Sequence, residues 1–61
     1  MEKFREVYIK YQDDNVIVFF WDCVGIGFGE LIIDTDTHDI IDDECMGKEF
    51  CEQVIKIGLG E

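Results

Sequence analysis

Polar and apolar residues alternate from Phe4 to Gln12 with the period of a strand. Val7, Ile9 and Tyr11 fall on one face; Phe4, Glu6, Tyr8 and Lys10 fall on the other. Asp13, Asp14 and Asn15 follow, residue types that tolerate the left-handed backbone of a tight turn, so a hairpin is predicted there. From Val16 to Asp22 the chain is apolar on both faces, with Val16, Val18 and Phe20 pointing one way and Ile17, Phe19 and Trp21 the other. A strand of that kind belongs in the middle of a sheet covered on both sides. Cys23 to Gly29, with Gly25 and Gly27 between, reads as a flexible connection or bulge region. Glu30 to Thr35 reads as a third strand, with Leu31 and Ile33 opposite Ile32. The polar run Thr35 to Asp39 turns the chain, and Ile40 and Ile41 are expected to pair back on the third strand as a short fourth.

The pattern then changes to a helical one. Gly47 is an acceptable N-cap, with Met46 before it and Cys51 at the fourth helical position placed for a hydrophobic staple. Glu49 in the first turn and Lys56 in the last suit the helix dipole. Phe50, Cys51, Val54, Ile55 and Ile57 form the apolar face, and Gly58 is the expected left-handed stop. The predicted fold class is α+β: a small antiparallel sheet of three to four strands followed by one C-terminal helix, β-β-β-(β)-α. A helix of about eleven residues is about 16 Å long and covers one face of such a sheet. The other face keeps large apolar groups of the second strand, with Tyr8 and Phe4 beside them, more than a small monomer usually exposes. A homodimer is therefore expected, with Phe19, Phe20 and Trp21 as interface candidates according to which face the helix leaves free.

Length and composition sharpen this picture. The 61 residues are read as a single domain, 1–61. A chain this short buries only roughly 60% of its unfolded surface, so a metal, a disulfide or a partner chain is the usual reinforcement. Hydrophobic residues make up 48% of the chain, enough to argue against disorder. Cys23, Cys45 and Cys51 are odd in number and irregularly spaced, so they are read as reduced, mostly buried thiols. No apolar run approaches membrane length and the N-terminus has no apolar signal region, so a cytoplasmic protein without membrane contact is expected.

Charge changes the picture most. The formal charge is -10, and between Tyr11 and Gly47 there is no Lys or Arg. The ten acids of that stretch, Asp13, Asp14, Asp22, Glu30, Asp34, Asp36, Asp39, Asp42, Asp43 and Glu44, equal the whole net charge. Outside it, five acids balance five bases. A one-signed negative field repels nucleic acid and attracts basic surfaces. The bland alternative is that the acidity serves solubility alone.

Candidate chemistry is sparse. Asp34-Thr35-Asp36-Thr37-His38-Asp39 begins like a calcium loop, then departs: Asp39 stands where the turn glycine belongs and Cys45 where the closing glutamate belongs. The expectation is a solvated acidic turn. His38, the single histidine, would need Cys45 and Cys51 folded over it to approach a zinc site, and an exposed turn residue is expected instead. Gly25-Ile26-Gly27-Phe28-Gly29 lacks the spacing and the lysine of a phosphate loop. The pairs Asp13/Asp14 and Asp42/Asp43 have no pocket in prospect to set their acidities apart, and Thr35 and Thr37 have no partnered base. No cofactor and no catalysis are expected.

The C-terminal half carries a resemblance. Gly27-Phe28-Gly29-Glu30-Leu31-Ile32 and Ile41-Asp42-Asp43-Glu44-Cys45-Met46-Gly47-Lys48-Glu49-Phe50 resemble small acidic proteins of bacteriophages and prophages, in phrasing rather than in a diagnostic motif. Some such proteins are anti-defence inhibitors that block CRISPR nucleases or helicase–nuclease systems such as Hachiman without catalysis, by imitating DNA or by jamming a moving part as dimers. The resemblance implies no site residues. Together with the charge it gives the functional expectation: a non-enzymatic inhibitor or interaction protein, in the host cytoplasm, that binds the basic surface of a nuclease or helicase. Asp34, Asp36, Asp39, Asp42, Asp43 and Glu44 are the expected contact surface. The alternative expectation is a small homo-oligomeric regulatory or structural module.

Overall fold

A computed structural model describes residues 3–61; Met1 and Glu2, which belong to the N-terminal segment read for a signal, lie outside the described residues. Strands β1 (Phe4–Gln12), β2 (Val16–Cys23), β3 (Gly27–Asp34) and β4 (Ile40–Asp42) precede helix α1 (Lys48–Leu59). The strands form an antiparallel meander in the order β1-β2-β3-β4, so the fold is α+β, as expected.

The two-sided strand β2 lies inside the sheet, and α1 covers one of its faces. Ile17, Phe19, Trp21 and Cys23 of β2 and Leu31 and Ile33 of β3 close with Phe50, Cys51 and Val54 of α1 into the core. Trp21 meets Phe50 edge to face at 4.8 Å between ring centroids. Phe19 is 0% and Trp21 3% exposed, so neither is available to a second chain. Of the three interface candidates only Phe20 stands on the uncovered face.

The expected division of β1 into faces holds only in its middle. Phe4 pairs with Cys23 and Glu6 with Asp22, so Arg5 is an extra residue; Ile9 pairs with Phe19 and Tyr11 with Val18, so Lys10 is another. Each irregularity reverses the phase of the alternation. Phe4 thereby joins the core side, its ring 5.2 Å from that of Phe50. Tyr11 leaves that side and stands opposite Val18 on the uncovered face.

The glycine-rich stretch is strand rather than connection. β3 begins at Gly27, and the turn shrinks to Val24–Ile26, where the Ile26 N–H donates to the Cys23 carbonyl at 3.1 Å. Gly29 sits opposite Trp21, and a Cβ there would overlap both the Glu44 carboxylate and the indole Cζ2, so the missing side chain makes room for the two of them.

The helix begins after Gly47 as expected but does not stop at Gly58. It continues to Leu59, and Gly60 is the left-handed cap. The Gly60 N–H donates to Ile57 at 3.1 Å and the Glu61 N–H to Lys56 at 2.9 Å, the bond pair of a Schellman motif. Gly58 has a packing role instead: a Cβ at that position would overlap Cδ1 and Cε1 of Phe19.

Candidate docking surfaces

Asp13 closes the first hairpin. Its Oδ1 accepts the N–H groups of Asn15 and Val16 at 2.7 and 2.8 Å, and its Oδ2 accepts the Tyr11 hydroxyl at 2.7 Å. Asp34 does the same for the β3–β4 turn, accepting the N–H groups of Asp36 at 2.9 Å and Thr37 at 3.1 Å. Donors aimed at a carboxylate favour its ionised form. The N–H of Val16, the Tyr11 hydroxyl and the N–H of Asn15 lower the Asp13 pKa, and the N–H groups of Thr37 and Asp36 lower that of Asp34. The same bond to Asp13 raises the Tyr11 phenol. Thr35 ties the two turns together: its hydroxyl donates to the Asp13 carbonyl at 2.9 Å, and its N–H to the Asn15 carbonyl at 3.1 Å.

Asp42 and Asp43 also serve the backbone. Asp42 Oδ1 accepts the Glu44 N–H at 3.1 Å and Asp43 Oδ1 the Cys45 N–H at 2.9 Å. Glu44 and Cys45 there take positive φ values of 54° and 64°.

The six sequence-predicted acids therefore lie along the β4 margin of the sheet: Asp34 at the end of β3, Asp36 and Asp39 in the β3–β4 turn, Asp42 at the end of β4, and Asp43 and Glu44 just after it. Asp34, Asp42 and Asp43 use their carboxylates to shape that margin. Asp36 and Asp39 project from the exposed turn, and Glu44 reaches back towards β3. Between them Ile41 of β4 is 57% exposed.

The calcium-like segment holds itself with its own donors. Asp34 is occupied by N–H groups, and His38 stands exposed in the left-handed region with φ 65°. Among the described residues no three His, Cys, Asp or Glu side chains converge to hold a metal ion. Among the described residues Cys23 and Cys51 are buried and Cys45 is exposed, all three outside any disulfide. Burial, and secondarily the charge of Asp43, pushes the Cys51 thiol up.

A second surface is the sheet face opposite the helix. Tyr8 stacks on Phe20 at 5.1 Å and Phe20 on Phe28 at 6.1 Å, a row of rings across three strands. Tyr8 is 45% and Phe28 76% exposed. The Lys10 ammonium bonds the Glu30 carboxylate across this face, which raises the Lys10 pKa. Lys10, Phe20, Phe28, Gly29, Glu30 and Glu44 line a hollow of about 300 Å³. The sequence pattern puts Tyr8 beside the uncovered face and leaves Phe20 open to either face, and it misses Phe28, which it reads as part of a connection. The signal was available in the two-residue period of Phe28, Glu30 and Ile32.

No protein family, curated protein or solved structure matches the chain. No helix among the described residues is long and apolar enough to cross a membrane.

Proposed function

We propose that this chain is a non-enzymatic interaction protein that binds the basic surface of a nucleic-acid-handling protein, a nuclease or helicase, in the manner of phage-type anti-defence inhibitors in a host cytoplasm. The observation that carries the reading is the gathering of Asp34, Asp36, Asp39, Asp42, Asp43 and Glu44 on one sheet margin of a chain of net charge -10. Such a margin competes with nucleic acid for the same basic groove and draws the partner in by its field.

Pull-down from a bacterial lysate with mass spectrometry identifies the partner, expected to be one dominant nuclease or helicase. Affinity for it should fall as salt rises from about 50 to about 300 mM, and Asp36→Asn with Asp39→Asn should slow association. An affinity unchanged over that range would sink the proposal.

A homodimer is the second reading, favoured by the exposed ring row of Tyr8, Phe20 and Phe28. Light scattering at micromolar concentration decides it: the mass of one chain, with a melt independent of concentration, removes it.

A further inference from the structure

The uncovered sheet face combines two things that separately say little. One is the ring row, with Phe28 standing 76% exposed at its end. The other is the hollow beside it, lined by Lys10, Phe20, Phe28 and Glu30, with Glu44 at its rim, one carboxylate oxygen turned over Gly29 towards Trp21. Lys10 already seats its ammonium on Glu30 in that hollow, so the chain itself shows the chemistry the hollow accepts.

A planar guanidinium suits such a place better than an ammonium. It stacks on ring faces and presents a fork of donors to carboxylates, while its stem lies on apolar surface. The volume of about 300 Å³ lies at the small end of ligand pockets. We propose that this hollow seats an arginine side chain of the basic protein partner, stacked on Phe20 and Phe28 and taking the place of Lys10 on Glu30. This rests on the reading that the partner is basic and moves its anchor from the acidic margin onto the open face.

Charge chooses this occupant over the alternatives. Glu6, Asp22 and Glu30 accompany the rings, in a chain of net charge -10. Two copies of the chain face to face would oppose like charges. Single-stranded nucleic acid also stacks on aromatic rows, but it needs a positive groove that this face lacks.

The test uses the whole chain, with a hexa-arginine peptide and its citrulline counterpart, which keeps the shape and removes the charge. Two-dimensional NMR follows the ring signals of Tyr8, Phe20 and Phe28. Hexa-arginine is expected to shift those signals first, and the citrulline peptide to leave them still. Phe28→Ser changes an exposed residue, so it folds, and it should weaken binding by about fivefold. Asp36→Asn with Asp39→Asn should weaken it less. Lys10→Gln should tighten binding by more than Lys56→Gln, which removes the same charge away from the hollow.

Shifts confined to the β3–β4 turn, with Phe28→Ser binding like wild type, overturn the arginine seat and leave the basic-partner reading standing. No binding of hexa-arginine at about 50 mM salt overturns both. Self-association without peptide that Phe28→Ser abolishes assigns the face to a second copy and overturns the arginine seat alone.

Discussion

Asp13 and Asp34 do at the residue scale what the chain cannot do with proline, which it lacks: each fixes a tight turn by accepting two backbone N–H groups. Their depressed pKa values couple both turns to pH. A carboxylate with a folded pKa below its unfolded value near 3.8 contributes stability that is fully present above that value. The contribution is lost as pH falls through the folded pKa. Asparagine at both positions keeps an oxygen to accept the N–H groups but does not titrate. The double variant Asp13→Asn, Asp34→Asn should therefore start less stable than wild type at pH 7 and lose less on acidification below about pH 4. Thermal melts across that range check it; parallel losses would show that the two turns carry no pH linkage. For the same reason Asp36→Asn and Asp39→Asn should be neutral or stabilising, because they remove like charge without touching a turn bond.

At the scale of elements, two glycines two residues apart at the end of α1 do different work. An alanine at Gly60 must take the left-handed backbone, φ 77°, at a cost of about 1 kcal/mol or slightly more. An alanine at Gly58 gains about 1 kcal/mol of helix propensity but drives a methyl into the Phe19 ring. Overpacking of that kind costs about 1–3 kcal/mol, so Gly58→Ala should be net destabilising in urea titration. A higher midpoint for Gly58→Ala would mean that the ring has room to move. Across β2 the same contrast appears between neighbours: Phe19→Asp places a charge in the core and should leave no folded protein, whereas Phe20→Asp should keep the native circular dichroism. The element order was legible because alternation, turn residues and helix period each point to one structure. The phase of β1 was not, since the extra residues Arg5 and Lys10 show only when β2 supplies a register. The helix stop was not either, because Gly58 and Gly60 are equivalent as local signals. Leu59 packs against the core and draws the helix on to the second of them.

At the scale of the whole molecule, a charge of -10 is held in a body of about 33 × 19 × 18 Å. The acidic margin was legible in advance because its residues are contiguous in sequence. The hollow was not, because Lys10, Phe20, Phe28 and Glu44 come from separate elements and meet only through strand pairing. The compact state concentrates the repulsion that unfolding relieves. Treating the folded and unfolded chains as uniformly charged spheres, screening between about 20 and about 300 mM salt should favour the folded one by on the order of 1–2 kcal/mol. The opposing loss is small, since the Lys10–Glu30 pair is exposed and such pairs are worth little. The melting temperature should therefore rise with sodium chloride by about 4–8 °C per kcal/mol for a domain of this size. Substituting Asp36→Asn and Asp39→Asn should shrink that rise, because it removes two of the unshared charges. A melting temperature that falls with salt would mean that specific pairs outweigh the field, and the electrostatic account of both stability and partner binding would fall with it.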